Sequence, residues 1–305
     1  MKPVGEVMRK KLHVHLELLR PFTLLAPIIV SSSVMIASLM YSGTAADIPY
    51  QTLLGTILIA SVCFALLNGA SNILNQVTDR REDSLSKPYR PIPRGVVSPR
   101  EAYIVSFVIY SLAFLLSAAV HFLFSLFVFV IAYFSVTYSL WPRMKKYLFI
   151  NQLWVALPRG FFAILASWSV FGNPFTPLPL VMGCVAAVFL FGGTATKDIL
   201  DAEADRTVGT KTLMNVYGIK TTTVFSVFFM LGAFTLILPF VYLHIIDDAF
   251  LPLIFLGFLS VFIGRLMLHS QRNTKRENVS AWTMMYVTYF IFAVSFSILT
   301  ISSSV

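Results

Sequence analysis

Nine apolar runs of membrane-spanning length constrain this fold more than any other feature of the sequence. A helix needs about 20 apolar residues to cross the roughly 30 Å hydrocarbon core of a bilayer. Such runs occur at residues 22–42, 51–74, 102–120, 122–140, 152–171, 178–196, 223–243, 250–268 and 281–302. They predict an all-α, polytopic membrane protein with nine transmembrane helices.

The composition supports this prediction. The chain is 57% hydrophobic and only 12% charged, whereas a soluble domain carries about 25% charged residues. Its mean hydropathy is +0.79. The first run lacks a short apolar core with a small-residue cleavage site, so we expect it to be a retained span and not a signal peptide. No linker or low-complexity tract divides residues 1–305, which predicts a single membrane domain.

The basic residues alternate with the spans. Nearly all of the 23 Lys and Arg residues lie in every second inter-span segment. The opposite segments carry only Asp47, Asp247 and Asp248 as charged side chains. The positive-inside rule then predicts a multi-pass protein of the cell membrane with a cytoplasmic N-terminus and an external C-terminus. Membrane topology thus explains the net charge of +9, and since no RRM-, KH- or finger-type motif occurs, we expect no nucleic-acid partner.

Two acidic rows end the second and sixth spans, on the predicted cytoplasmic side. In each row, residues recur at i, i+4 and i+8, which places them along one face of a helix. The first acidic row consists of Asn75, Asp79 and Asp83. The second acidic row consists of Lys197, Asp201 and Asp205, with Asp198 beside it. Half of the chain's 14 acids lie in these two stretches, which scattered, solvated loop charges explain poorly.

The rows suggest a site for a metal ion and a diphosphate. Carboxylate and amide oxygens suit Mg²⁺, which usually binds one or two carboxylates while it bridges substrate phosphates. Nearby cations would meet the remaining phosphate charge; they are Lys87, Arg90, Arg94, Lys145 and Lys146. The sequence therefore predicts Mg²⁺-assisted departure of diphosphate at the membrane surface. A hydrophobic tail on the diphosphate would lie between the spans.

Two other classes of membrane protein also use acidic residues. A divalent-cation transporter should place its acids near the bilayer midplane, whereas these acids lie at the ends of spans. A phosphatidyltransferase of the CDP-alcohol type should show a compact Asp-Gly-x₂-Ala-Arg pattern, which this sequence lacks. A Mg²⁺-dependent transferase acting on a lipophilic diphosphate is the interpretation that the pattern favours.

The same residues resemble motifs of the UbiA superfamily of intramembrane prenyltransferases. That family carries NxxxDxxxD after its second helix and DxxxD after its sixth, which match Asn75 to Asp83 and Asp201 to Asp205. The stretch KPYRPIPRG is similar to the family's RPIPSG segment, with Arg94 where serine is usual. YSLWPRMKK and GTKTL resemble two further segments, so the match covers about residues 70–215.

The resemblance implies a nine-helix bundle around a central cavity that cytoplasmic loops cap. It implies two Mg²⁺ ions that hold a polyprenyl diphosphate, whose ionisation gives an allylic cation for a lipophilic acceptor to capture. The implied metal or diphosphate ligands are Asn75, Asp79, Asp83, Asp201 and Asp205, with Asn72 and Asp198 as weaker candidates. The implied diphosphate contacts are Lys145 or Lys146, Arg90 and Lys197, beside Lys87 and Arg94.

Two residues outside the rows are also candidates. Tyr138 adjoins the basic segment, and its ring could stabilise an allylic cation through its π face. Arg159 lies inside the fifth span, where a charge is costly. Pro158 and Gly160 flank it, so we expect a local break in the helix that turns Arg159 inward. Arg159 would then bind the anionic group of the acceptor or the diphosphate.

The acceptor is the least determined part of the expected reaction. KPYRPIP looks closer to the chlorophyll-type and archaeal ether-lipid branches of the family than to the hydroxybenzoate branch. This favours a geranylgeranyl-class donor and an acceptor of the geranylgeranylglyceryl phosphate type. The alternative is an aromatic quinone precursor such as 4-hydroxybenzoate or dihydroxynaphthoate.

Overall fold

A computed structural model describes residues 13–270 and 279–304. The described residues contain helices, turns and irregular segments but no strand. The helices are α1 (Pro21–Tyr41), α2 (Tyr50–Thr78), α3 (Arg80–Ser86), α4 (Pro99–Val120), α5 (Phe122–Ser139), α6 (Ile150–Ala156), α7 (Phe162–Trp168), α8 (Pro177–Gly193), α9 (Asp198–Thr207), α10 (Leu213–Thr235), α11 (Ile237–Tyr242), α12 (Gly257–Leu268) and α13 (Ser280–Ser304).

Local sequence explains several helix boundaries. Pro21 begins α1 because proline has no backbone N–H to leave unpaired at that position. Ser98 caps α4, and its Oγ accepts a hydrogen bond from the Glu101 amide at 3.1 Å. His121 alone, in an extended conformation, separates α4 from α5. These two spans therefore form a tight hairpin.

Eight helical stretches of the described chain are long and apolar enough to cross a membrane. The remaining predicted span, the fifth at residues 152–171, is also helical, but it consists of α6, a π turn at Leu157–Phe161 and α7. The sequence-predicted all-α fold is thus confirmed. The helix of the seventh span begins at Leu213, earlier than predicted, and is kinked at Gly218 (φ 76°, ψ 175°). The eighth span, Asp248–Leu268, lies close to its predicted bounds and starts as a 3₁₀ segment, Asp248–Leu256.

The spans pack as a closed ring. Each span contacts the next one along the chain, and α13 returns to pack against α1. A bilayer offers no water to satisfy backbone groups, so helices that satisfy their own hydrogen bonds are the expected building blocks. The ring encloses a cavity, and the polar segments that follow α2, α5 and α8 lie together at one end of it.

Candidate active site

The cavity collects most of the residues that the sequence predicts for the site. Its wall includes thirteen of these fifteen residues: Asn72, Asn75, Asp79, Asp83, Lys87, Arg90, Tyr138, Lys145, Arg159, Lys197, Asp198, Asp201 and Asp205. Below them the wall becomes largely apolar and aromatic, with residues such as Phe64, Leu67 and Ile131. The cavity thus joins a charged end to an apolar interior.

The first acidic row keeps its spacing although its helix is interrupted. Helix α2 ends at Thr78, and Asp79 has a non-helical conformation with φ −99° and ψ 14° before α3 begins. The backbone nevertheless keeps the i to i+4 spacing across the break. The Asp79 amide donates to the Asn75 carbonyl at 2.9 Å, and the Asp83 amide donates to the Asp79 carbonyl at 2.8 Å. All three side chains consequently line the same cavity.

Cations surround the first acidic row. Nη1 of Arg90 lies 2.8 Å from both carboxylate oxygens of Asp83. Burial raises the pKa of Asp83 above its ordinary value, although Arg90 and Lys87 oppose the rise. Asp79 contacts Lys145 Nζ and, at 3.1 Å, Arg143 Nη2. This end of the cavity therefore holds buried charges of both signs.

Lys145 stays charged in this setting. Burial is the largest single influence and would lower the pKa of Lys145, but the Asp79 carboxylate and Tyr138 together outweigh it, and the pKa is raised. Lys146 follows it in the same 3₁₀ turn, yet it is exposed and lines a separate cleft with Arg80 and Arg81. Neighbouring residues of a helical turn point in different directions, and the structure turns Lys145 inward and Lys146 outward.

The second acidic row faces the first across the cavity. Asp201 and Asp205 lie on α9, and Lys197 ends the 3₁₀ segment Thr194–Lys197 through which α9 continues α8. Lys87 Nζ reaches over from the first loop to Asp201 Oδ1. Lys197 Nζ donates to the Tyr138 hydroxyl at 2.7 Å and lies 5.0 Å from the centre of its ring. The Tyr138 ring is therefore already placed to meet a positive charge.

The donor set fits a hard divalent cation in its chemistry. The rows offer carboxylate and amide oxygens, the ligands that Mg²⁺ prefers. Oδ2 of Asp198 is buried and has no hydrogen-bond partner among the described residues. The same residues contain no group of three or more His, Cys, Asp or Glu side chains already arranged around a metal position. Lysine and arginine groups contact the acids instead.

The local break predicted around Arg159 is a π turn. Pro158 lacks an amide hydrogen, and Gly160 lets the turn pack directly on the backbone of α8 at Ala186 and Ala187. Arg159 lines the cavity, and its Nη1 donates to the Tyr286 hydroxyl at 3.2 Å. The Tyr289 hydroxyl donates to the Arg159 carbonyl at 2.8 Å. The guanidinium is thus held at the cavity wall by the last helix.

Besides Lys146, two predicted residues do not have the expected surroundings. Arg94 lies outside the cavity, where its Nη2 pairs with Glu17 Oε2 at 2.6 Å. Asn72 lines the cavity, but its amide nitrogen donates to the Leu19 carbonyl at 3.0 Å and to Thr23 Oγ1 at 2.7 Å. That amide group therefore anchors the start of α1 on α2. Both partners are distant in sequence, so spacing alone could not reveal them.

The structure also adds residues that the sequence analysis did not assign. Arg143 joins the first row by contacting Asp79 and, at 2.8 Å, Glu82. Its place in YSLWPRMKK was the available signal. Trp282 and Tyr286, one helical turn apart on α13, also line the cavity, and Tyr286 contacts Arg159 of the π turn. Their spacing in the sequence places them on one face of a span. It does not identify them as site residues, because aromatic residues on a span usually contact lipid or pack against other helices.

Comparison with known proteins identifies the fold and the family. The model of the UbiA prenyltransferase family matches residues 30–301. The chain belongs to the UbiA prenyltransferase family. This UbiA-family protein is therefore a prenyltransferase, and its apolar helices make it a multi-pass membrane protein.

Relatives of this prenyltransferase include archaeal enzymes. It is 28% identical to the digeranylgeranylglyceryl phosphate synthase of Methanothermobacter thermautotrophicus over 78% of this chain and 84% of that protein. The enzyme of the same name from Methanobrevibacter smithii is 27% identical over 92% of this chain and 96% of that protein. A UbiA homologue from Archaeoglobus fulgidus, bound to GPP and Mg²⁺, superposes with a TM-score of 0.73 at 20% identity over 95% of this chain and 99% of that chain. This last likeness confirms the fold.

Proposed function

We propose that this prenyltransferase transfers a geranylgeranyl-class group from its diphosphate to a geranylgeranylglyceryl phosphate type of acceptor. The observation that carries the proposal is the cavity itself. Two acidic rows and four buried or half-buried cations, Lys87, Arg90, Lys145 and Lys197, line its charged end, while its depth is apolar. A substrate with a diphosphate head and a polyprenyl tail has matching chemistry at both ends.

We assign the metal-binding role to Asn75, Asp79, Asp83, Asp201 and Asp205, which would hold two Mg²⁺ ions. Bound Mg²⁺ would neutralise the diphosphate and make it a better leaving group. Lys87 and Lys145 reach their carboxylates through long flexible stems. Once another cation meets those carboxylates, both ammonium groups are free to turn toward the diphosphate oxygens.

The reaction exchanges one C–O bond for another. The bond between prenyl C1 and the diphosphate oxygen breaks, and its electron pair leaves with the diphosphate. Positive charge develops on the allylic C1, which the Tyr138 ring face would stabilise. The acceptor hydroxyl oxygen then bonds to C1, and its proton passes to solvent. Arg159 would bind an anionic group of the acceptor or the diphosphate by two-point contact.

Similarity to the archaeal enzymes supports the ether-lipid acceptor over an aromatic one. Two relatives that cover most of this chain carry the name digeranylgeranylglyceryl phosphate synthase. The arrangement of basic residues supports an active site on the cytoplasmic side, since all the inter-span segments that contribute to the charged end are cation-rich.

A product assay tests the proposal. The purified protein is incubated with Mg²⁺, labelled geranylgeranyl diphosphate and, separately, geranylgeranylglyceryl phosphate, 4-hydroxybenzoate and dihydroxynaphthoate. Mass spectrometry should detect an acceptor enlarged by one geranylgeranyl group only with the glyceryl phosphate, and EDTA should abolish it. Prenylation of an aromatic acceptor alone would replace the proposed acceptor, and equal turnover in EDTA would refute the metal requirement.

A further inference from the structure

One wall of the cavity contains buried polar atoms that the protein itself leaves unsatisfied. Asn151 Oδ1, Thr194 Oγ1 and Asp198 Oδ2 have no hydrogen-bond partner within the described residues. The three residues are only 2%, 5% and 4% exposed, and all three line the cavity. Burying a polar group without a hydrogen bond is unfavourable. Three such atoms in one wall indicate a ligand that satisfies them.

These atoms belong to one patch. Thr194 and Asp198 are four residues apart across the junction of the 3₁₀ segment with α9, on the stripe that continues through Asp201 and Asp205. Asn151 lies in the first turn of α6, which packs against the segment Thr194–Lys197. The patch therefore borders the second acidic row on its membrane side, where a diphosphate head would meet its prenyl tail.

The opposite wall shows that unsatisfied groups are not a general property of the cavity. Asn68 and Asn72 also line it, but their amide nitrogens donate to the Thr23 and Leu19 carbonyls at 3.0 Å each. On that side the polar groups hold α1 and α2 together. On the side formed by α6, the 3₁₀ segment and α9, the oxygens of Asn151, Thr194 and Asp198 line the cavity without such a structural role, as does Thr210 Oγ1 in the loop after α9.

The chemistry of the patch selects the kind of ligand. A carboxylate oxygen and an amide oxygen only accept hydrogen bonds, and a threonine hydroxyl both donates and accepts. An ionised phosphate or diphosphate offers acceptors alone, so it would not satisfy Asp198 Oδ2. A metal ion has no lone pair, so it would leave the Thr194 hydrogen without a partner. A hydroxyl group would donate its one hydrogen to Asp198 Oδ2 and accept from the Thr194 hydroxyl, and its second lone pair would accept from the Asn151 amide once that group turns its nitrogen toward the cavity.

We propose that Asn151, Thr194 and Asp198 form the subsite that binds and positions the hydroxyl group of the alcohol acceptor. The inference rests on the proposed function, in which this hydroxyl attacks prenyl C1. The subsite holds the nucleophilic oxygen beside the acidic rows, on the membrane side of the charged end. Asn151 and Thr194 are positioning residues that determine which acceptors bind productively.

Kinetics of matched variants test the subsite. Thr194→Val and Asn151→Leu remove the polar atoms with little change in volume. Each should raise KM for the acceptor at least tenfold and leave KM for the diphosphate within twofold. Gln152→Leu is the control, because Gln152 is also buried with an unsatisfied amide but does not line the cavity; it should change neither constant. Thr194→Ser, which restores a hydroxyl, should recover most of the loss.

Equilibrium binding separates the hydroxyl from other ligands. Without donor, wild-type protein should bind the glyceryl phosphate acceptor at least tenfold more tightly than its deoxy analogue, in which hydrogen replaces the free hydroxyl. In Thr194→Val and Asn151→Leu the ratio of the Kd of the deoxy analogue to the Kd of the acceptor should fall toward one. A preference that persists in both variants would overturn the subsite. So would a shift in the Mg²⁺ concentration for half-maximal activity at unchanged acceptor KM, since the patch would then hold a metal-bound water.

Failure of the proposed function and failure of the hydroxyl subsite give different experimental results. If wild-type protein prenylates none of the glyceryl phosphate acceptor, the proposed function is wrong whatever the variants do. If it prenylates the acceptor and the variants keep the wild-type acceptor KM and deoxy preference, the function stands and the subsite is wrong.

Discussion

Replacing Gly160 with alanine should loosen the contact between the π turn and α8. A Cβ at this position would lie 2.6 Å from the Ala187 nitrogen, 2.7 Å from its Cα and 2.8 Å from the Ala186 carbonyl carbon. Ordinary Cβ contacts begin at 3.4 Å, so the two backbones must separate by about 0.8 Å. Backbone atoms cannot rotate away as a side chain can, so the whole turn has to move.

Two effects of this change oppose each other. Overpacking a well-packed contact costs about 1–3 kcal/mol, whereas alanine in place of glycine in a helix favours folding by up to about 1 kcal/mol. The backbone clash should win, with a net destabilisation of about 1–2 kcal/mol, or roughly a 5- to 30-fold change in the folding equilibrium. The shift would also displace Arg159 from α13, so kcat/KM should fall as well.

The assay compares this variant with Gly232→Ala. Gly232 lies in α10, and a Cβ there would meet nothing within 4 Å. In thermal inactivation of the detergent-purified proteins, Gly160→Ala should lose activity at a lower temperature than the wild type. Gly232→Ala should lose activity at the same temperature as the wild type or at a higher one. If both variants are equally stable and equally active, the close packing of the π turn is not what holds Arg159 in place.

Two further predictions concern topology and Arg159. Cysteine at exposed Ser84 should be labelled only from the cytoplasmic side, and cysteine at exposed Asn173 only from outside; opposite labelling would invert the proposed orientation. Arg159→Lys keeps the charge but loses the planar fork, so it should raise KM for one substrate tenfold or more, a loss of about 1.4 kcal/mol. Normal kinetics for both substrates in Arg159→Lys and Arg159→Leu would remove the residue from the site.

Much of the fold follows from simple periodicities. Apolar runs of the right length predict the spans, because each helix must cross the bilayer on its own. The i, i+4, i+8 spacing also places Asn75, Asp79 and Asp83 along one wall, even though the helix breaks at Asp79. The backbone hydrogen bonds continue across that break, which preserves the spacing that the sequence shows.

The remaining features depend on contacts between distant parts of the chain. Lys87 meets Asp201, 114 residues away, and Arg94 turns to Glu17, 77 residues away. Nothing in the local sequence separates inward Lys145 from outward Lys146. Asn151 and Thr194 read as ordinary polar residues at the ends of spans. They stand out only once packing shows which polar groups are buried, unsatisfied and turned toward the cavity.

The most direct test of the account is diphosphate release by variants of the two acidic rows. Asp79→Asn and Asp201→Asn each remove one anionic ligand from the predicted metal site, whereas Asp47→Asn removes an exposed carboxylate from an opposite segment. With Mg²⁺, labelled geranylgeranyl diphosphate and the glyceryl phosphate acceptor, Asp47→Asn should turn over like the wild type. Both row variants should insert and fold but release essentially no diphosphate, because departure of the leaving group depends on the metal. Near-wild-type release by Asp79→Asn or by Asp201→Asn would contradict the assignment of the acidic rows as the catalytic site.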